Sequence, residues 1–330
     1  MTWQSRKCIK LDFLLPSIVA MMMLIIKTIM SEKIFVISGP TASGKSGLAL
    51  QFADYKDITI INADSLQIYQ GLAILSSQPT ISEQNQVSHK LYSILETHES
   101  SSVALWLKLA NQEIKNCWQN NKIPVIVGGT GMYISKLIEG INEIPEIQHS
   151  IKSQAKEEFE SLGIENFRKK LISLGEEKEK IEKLDKQRLI RIYEVFNQTG
   201  KSLSWWQNQS LKTFFSPQIF THINLNPDRN LLYKNCNLRF EKMMENGAIN
   251  EVNNLLKQGI KEDSQVTKTL GFLEIKQFLS KEISEKEAIE IASQKTRNYA
   301  KRQLTWFRNQ LPNKIIFEEN QQALNYLKSL

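Results

Sequence analysis

An α/β fold is predicted for this chain: a parallel sheet flanked by helices, with a helical insertion. Three observations predict it. Continuous apolar, β-branched runs at 34–37, 58–61 and 123–127 read as strands buried on both faces. Helical text separates them, as in βαβ units. From 144 to 214 the strands give way to charged helical text, and a strand returns at 218–225. The expected division is therefore a core of 31–143 plus 215–330, an insertion of 144–214, and an N-terminal extension of 1–30.

The first strand, Ile34-Phe35-Val36-Ile37, runs into Gly39-Pro40-Thr41-Ala42-Ser43-Gly44-Lys45-Ser46, and the helix-like 48–53 follows. This is a complete G-x-x-x-x-G-K-S, a P-loop, in its strand, loop, helix context. Glycines let backbone N–H groups turn inward around an anion, and the new helix aims the positive end of its dipole there. Lys45 adds a point charge, and Ser46 offers a hydroxyl to Mg2+. Phosphate or pyrophosphate binding follows; the reaction does not follow from this loop.

With 330 residues, 41% of them hydrophobic, the chain is long enough for one large domain or two smaller ones with true cores. Cys8, Cys117 and Cys236 lie far apart and form no Cys/His cluster, which argues against a disulfide framework or structural zinc and suits a reducing compartment. The net charge of +7 is uneven: residues 31–150 carry 8 basic and 11 acidic side chains, and 151–330 carry 30 and 23. A basic half beside a phosphate-binding half fits a polyanion such as nucleic acid, as well as an ordinary lysine-rich surface.

Residues 1–30 combine Arg6, Lys7 and Lys10 with an apolar run, as a signal peptide does. No small-x-small cleavage site follows, and the run is shorter than the ~20 residues of a spanning helix. A non-essential extension or a start assigned too far upstream is the preferred expectation over a membrane anchor. The second strand delivers Asp64, Ser65, Leu66 and Gln67 at its carboxyl end, where open parallel sheets bind ligands. Asp64 suits either an outer partner of Mg2+ or a base aimed at a nucleophile. Residues 76–79 read as loop, and His89 as structural. Residues 102–120 read as a helix whose Val103, Trp106, Leu107, Ala110, Ile114 and Trp118 form an apolar stripe. The third strand ends in Gly128-Gly129-Thr130-Gly131, where glycines permit close approach and Thr130 supplies a hydroxyl.

In the insertion, Arg188 and Arg191 fall at i, i+3 on one helix face. Residues 229–258 read as one helix or two, carrying Arg239, and 284–309 as another. On that last helix Arg297, Lys301 and Arg308 share one face, and Lys295, Tyr299, Arg302 and Trp306 another. Such interleaving suits RNA, although aromatics at helical spacing also build cores.

Together these motifs resemble the bacterial tRNA dimethylallyltransferase (tRNA isopentenyltransferase) family over about 31–310. The resemblance rests on the P-loop, Asp64-Ser65-x-Gln67-x-Tyr69, Gly128-Gly129-Thr130, Gln187-Arg188-x-x-Arg191 and Thr296-Arg297-x-x-Ala300-Lys301-Arg302-Gln303-x-Thr305-Trp306. It implies a P-loop NTPase-like sheet with a helical insertion. It also implies transfer of the dimethylallyl group of dimethylallyl diphosphate to N6 of the adenosine 3′ of the anticodon, in tRNAs reading codons that begin with U. Carried over by motif, Asp64, Thr130 and Arg239 are the catalytic residues, Gly39 to Ser46 hold diphosphate, and Ser46 contacts Mg2+. Asp64, Ser65, Leu66 and Gln67, then Lys152, Gln187, Arg188, Leu189, Ile190 and Arg191, then Arg297 and Lys301 are expected to meet the tRNA anticodon stem-loop. A cytoplasmic monomer without a stable protein or membrane partner is expected.

Departures from the family pattern are Leu75-Ser76-Ser77-Gln78-Pro79 for the common Gly-Thr-Ala-Lys-Pro, Asn235 for an arginine, and Phe272 for a tyrosine. A small-molecule or nucleotide kinase would use the same loop with ATP. A nucleotide-gated RNA-binding module would need the basic surface but not Asp64.

Overall fold

The computed structural model describes residues 32–311 and 313–330, so the expectations for 1–30 and for Cys8 lie outside the described residues. Six strands form one sheet: β1 (Ile34–Ser38), β2 (Ile58–Asn62), β3 (Ser88–Lys90), β4 (Ile123–Gly128), β5 (Phe220–Leu225) and β6 (Ile315–Phe317). Their order is β3-β2-β4-β1-β5-β6, and every pairing is parallel. β1 and β2 are buried at every residue, as their unbroken apolar runs require when helices cover both faces.

The connections supply those helices. After β1 comes α1 (Lys45–Ala53), and α2 (Ile81–Gln86) precedes the edge strand β3. α3 (Val103–Gln119) is capped by Ser102, whose hydroxyl accepts the Leu105 N–H, and it buries Trp106, Leu107, Ala110 and Ile114. α4 (Gly131–Glu139) leaves β4. Next come α5 (His149–Ser173), broken at Gly163, then α6 (Lys178–Ile181), α7 (Lys186–Thr199) and α8 (Leu203–Gln207). α9 (Arg229–Glu245) and α10 (Ala248–Lys257) are separate helices, divided by Gly247 in the left-handed region at φ 107°. α11 (Phe272–Leu279), α12 (Glu285–Asn309) and α13 (Asn320–Ser329) complete the chain. α12 opens on a capping box between Ser284 and Glu287.

The described residues form two compact units, 32–138 with 215–330, and 139–214. In the first, Leu48 and Phe52 of α1 meet Leu324 and Leu327 of α13 over Phe35, Ile37, Ile58, Ile60, Val125, Val127 and Ile223. The second has its own core of Phe159, Phe167, Leu171, Ile181, Leu189 and Tyr193. No helix among the described residues is long and apolar enough to cross a membrane. Cys117 and Cys236 are free and buried.

One polar cluster sits inside the sheet directly below the P-loop. Ser38 Oγ lies 2.7 Å from His222 Nε2 and accepts a hydrogen bond from Asn224 Nδ2 at 2.9 Å. His222 Nδ1 is buried and has no hydrogen-bond partner among the described residues. Burial, with Lys314 adding its charge, lowers the His222 pKa from 6.5 to about 4. The fold therefore holds the neutral ring, while the unfolded chain takes up a proton near pH 6.5. This contribution to stability is complete above that pH and is lost as pH falls toward 4. Denaturant titrations of wild type should lose ~2 kcal/mol more between pH 7 and pH 5 than those of His222→Gln. Equal losses would show that this ring does not govern acid sensitivity.

Candidate active site

Parallel register brings the motif-bearing strand ends together. Ser38 pairs with Gly128 and Asn62 with Val127, so β1, β2 and β4 release the P-loop, Asp64 and Thr130 at the same edge. The P-loop backbone needs its glycines. Gly39 has φ 145°, and a Cβ there would come 2.6 Å from Leu225 O; Gly44 is left-handed at φ 89° as it opens α1. Within the loop Ala42 also takes a positive φ of 63°.

The cations converge from two elements. Lys45 Nζ donates to Pro40 O at 2.6 Å, and Arg239 Nη1, reaching over from α9, donates to Thr41 Oγ1 at 2.8 Å. Burial, then the neighbouring Arg239 charge, lowers the Lys45 amine from 10.5 to about 7, while Asp64 pulls the other way. Burial also lowers Arg239, again opposed by Asp64. A cleft of about 1100 Å³ opens here, lined by Gly44, Lys45 and Ser46 of the loop, Asn235, Arg239 and Lys242 of α9, and Ser77, Gln78 and Tyr92.

Asp64 is held by short-range hydrogen bonds. Its N–H donates to Asn62 Oδ1 at 2.8 Å, and its Oδ1 accepts the Leu66 N–H at 2.9 Å. Asn62 is fully buried and donates through Nδ2 to Leu91 O and Asp64 O. Burial first, and the Asp64 charge second, push the Tyr92 and Tyr299 phenols up. Thr130 Oγ1 accepts the Ser65 N–H at 3.0 Å, so its hydroxyl braces the turn that carries Asp64. Gln67 Nε2 donates to Ser76 O and Ser77 O, tying down the 71–79 segment.

α12 backs this edge with three residues of one face, Tyr299, Gln303 and Trp306. Gln303 is buried; its Oε1 accepts the Thr41 N–H at 2.8 Å and its Nε2 donates to Gly129 O at 2.9 Å. Trp306 occupies the space beside Gly131, where a Cβ would come 2.1 Å from its ring. Sequence reasoning quoted Gln303 within a motif and gave it no role, and it passed over Asn62.

The residues expected to meet RNA divide by exposure. Lys152 on α5, and Gln187, Arg188 and Arg191 on α7, are exposed, with Arg188 3.9 Å from Asp185 and Arg191 3.3 Å from Glu194. Leu189 and Ile190 are a correction as side-chain contacts: both are buried in the core of the second unit, because consecutive helical residues turn by 100° and the outer face goes to Gln187, Arg188 and Arg191. Lys301 is exposed, and Arg297 donates to Asn237 Oδ1 and Gln294 Oε1. Ser65 and Leu66 are partly exposed.

The sequence matches the family model described as IPP transferase over residues 67–310, and that described as Isopentenyl transferase over 32–95. The chain belongs to the tRNA dimethylallyltransferase, or IPP transferase, family. A tRNA dimethylallyltransferase of Pelagibacter ubique is 41% identical over 281 residues, covering 85% of this chain and 90% of that one. Two solved members share the fold. The tRNA delta(2)-isopentenylpyrophosphate transferase of Staphylococcus epidermidis has TM-score 0.62 at 32% identity, covering 90% of this chain and 98% of its own. The full-length tRNA isopentenylpyrophosphate transferase of Bacillus halodurans has TM-score 0.65 at 29% identity, covering 90% and 96%.

The lowered Lys45 pKa has a measurable consequence. Near pH 7 the amine is about half protonated, and an anion in the loop favours the charged form. Pyrophosphate binding should therefore take up about half a proton more in wild type than in Lys45→Met at pH 7. Calorimetry in two buffers of different ionisation enthalpy reads this difference, and equal uptake would place the Lys45 pKa elsewhere.

Proposed function

We propose that this chain transfers the dimethylallyl group of dimethylallyl diphosphate to N6 of adenosine 37, immediately 3′ of the anticodon, in tRNAs reading codons that begin with U. The observation that carries this reading is the convergence of Lys45 and Arg239 at the P-loop with the carboxylate of Asp64 at the same sheet edge, two strands away. Family membership supports the same reading, since relatives bear the name tRNA dimethylallyltransferase.

The reaction forms a bond from N6 to C1 of the allyl group and breaks the C1–O bond, whose electron pair leaves with diphosphate. Loop amides, Lys45 and Arg239 stabilise the charge growing on the leaving group. Asp64 accepts a hydrogen bond from the exocyclic amine, orients it and takes its proton as the N–C bond forms. The hydrogen bonds from Asn62 and Leu66 hold that turn in place beforehand. Thr130 supports the reaction through Ser65.

Ser46 is exposed to the cleft, and no cluster of three His, Cys, Asp or Glu side chains capable of holding a metal occurs among the described residues. That donor set suits a hard cation that arrives with its phosphate oxygens and takes few protein ligands. Mg2+ held by Ser46 and the diphosphate would supply further charge neutralisation. The buried free thiols of Cys117 and Cys236 suit a reducing, cytoplasmic setting.

The adenine has to leave its stack to reach a carboxylate at the strand edge. Arg188 and Arg191, exposed on one face of α7, are proposed to hold the anticodon stem-loop through its phosphates. Bound phosphates release counterions, so each lost contact lowers the salt slope of binding by nearly one unit. Replacing both arginines with alanine should weaken tRNA binding and flatten its log–log salt dependence by up to ~2. Pyrophosphate affinity should not change. Parallel salt slopes would remove both residues from the RNA interface.

Incubation with labelled dimethylallyl diphosphate and tRNA, run beside labelled ATP with small acceptors, separates prenyl transfer from kinase activity. In that assay Asp64→Ala should lose ~10² or more in turnover and keep its tRNA affinity. Wild-type turnover in Asp64→Ala would remove the base assignment, and phosphoryl transfer from ATP would replace the proposed reaction.

A further inference from the structure

We infer that Gln303 is a positioning residue that registers the leaving-group half of the site against the nucleophile half. The inference rests on the prenyl-transfer reading above and extends it. A single buried side chain reaches two motifs at once: Oε1 accepts the Thr41 N–H of the P-loop, and Nε2 donates to Gly129 O beside Thr130. Both polar ends are therefore engaged with the protein.

What each end controls gives the pair its meaning. On one side, the hydroxyl of Thr41 receives the Arg239 hydrogen bond. Fixing the Thr41 backbone thus fixes where the cation stands relative to the departing diphosphate. The Thr41 N–H is also spent on the protein, so the remaining loop amides and the cations cradle the anion. On the other side, Gly129 precedes Thr130, whose hydroxyl accepts the Ser65 N–H next to Asp64. The path from Arg239 to Asp64 then runs through Thr41, Gln303, the Gly129-Thr130 peptide and Ser65.

Geometry explains why an amide is required and why glycine faces it. A Cβ on Gly129 would stand 2.3 Å from Gln303 Nε2, so only a glycine lets the carbonyl come within hydrogen-bonding reach. One end has to accept and the other donate, and glutamine is the side chain of this length that does both. One turn further along α12, Trp306 fills the space beside Gly131 and seats the helix on the same loop. A lone apolar contact could support the loop, but it could not fix the P-loop and the Gly129 carbonyl with directional bonds.

In-line displacement is sensitive to such registry, since a misplacement of about 1 Å costs on the order of 10²-fold in rate. Diphosphate binding depends less on it, because Lys45 and the other loop amides remain in place. The test is Gln303→Met, which keeps length and loses both hydrogen bonds, with Gln303→Glu as the second variant, which keeps the acceptor for Thr41 and loses the donor to Gly129.

Single-turnover transfer at saturating tRNA and dimethylallyl diphosphate, pyrophosphate affinity and thermal midpoint are measured for each against wild type. The expected result is a fall of ~10- to 100-fold in single-turnover rate with pyrophosphate affinity within about threefold of wild type. A folded variant with an unchanged rate overturns the inference. Equal losses of rate and pyrophosphate affinity, or failure of both variants to fold, assign Gln303 to structural support and overturn it as well. Absence of transfer by wild type would instead refute the proposed function.

Discussion

Where Ser38 lies beside Gly128 and Asn62 beside Val127, three parallel strands end within one step of one another, and the groups that follow them have no choice but to meet. The register is in turn held by burial. A shift by one residue would turn Phe35 and Ile37, Ile58 and Ile60, and Val125 and Val127 away from the helices α1 and α13 that cover them. Hydrophobic packing on that face thereby fixes the spacing between the P-loop and Asp64. The site inherits its spacing from apolar packing within the sheet.

The same edge gathers two half-buried cations around a single carboxylate. Lys45 and Arg239 are each destabilised as cations by loss of water, and each is partly restored by Asp64. Among the described residues they hydrogen-bond to a backbone carbonyl and a threonine hydroxyl, both uncharged. This leaves positive potential poorly neutralised at the loop, which is the condition for strong attraction to a multiply charged leaving group. An aspartate two strands away, with β4 between, is near enough to influence both cations, yet it stays tied to its own turn through Leu66 and Asn62. Separation by strands rather than by a flexible loop would keep the proposed acid–base and leaving-group roles from collapsing into an ion pair.

Much of this was legible in the sequence where a pattern and a physical need coincide. β1, β2 and β4 announce themselves as unbroken apolar runs, and α3 and α12 have stripes with serine caps. β3 does not: Ser88-His89-Lys90 is a short polar edge strand with no alternation to read. β6 leaves Ile315 and Ile316 exposed, and α13, rich in Asn and Gln, shows its purpose only when Leu324 and Leu327 meet α1. At the site, Asp64 and the P-loop were readable because motif residues carry charge or unusual backbone. Gln303 was not, because its function lies in two partners 262 and 174 residues away in sequence. Leu189 and Ile190 come with the motif string between the two arginines, and the helix turns their side chains into the core of the second unit.

The departures from the family pattern divide along the same line between packing and charge. Leu75 and Phe272 are buried, and Gly271 lies so close to Phe240 and Leu75 that a Cβ would approach them within 2.3 and 3.1 Å. The Leu75 and Phe272 side chains are packed in the interior and are absent from the lining of the cleft. Gln78 and Asn235 line the cleft itself, as neutral side chains at positions where the resemblance leads one to expect cations. Gln78 is engaged, donating to Tyr69 O and accepting from Ser93, and Asn235 Nδ2 stands 3.5 Å from Ala42 O. Gln78 thus ties its own segment to Tyr69 and Ser93, and Asn235 reaches the P-loop itself, both through neutral groups. The positive potential of the cleft then rests on Lys45, Arg239 and Lys242, and the last lies on α9 one turn beyond Arg239. In the proposed reaction, with fewer cations to share the charge of the leaving group, the placement of Arg239 through Thr41 would carry a larger part of the stabilisation than in a site with the full set.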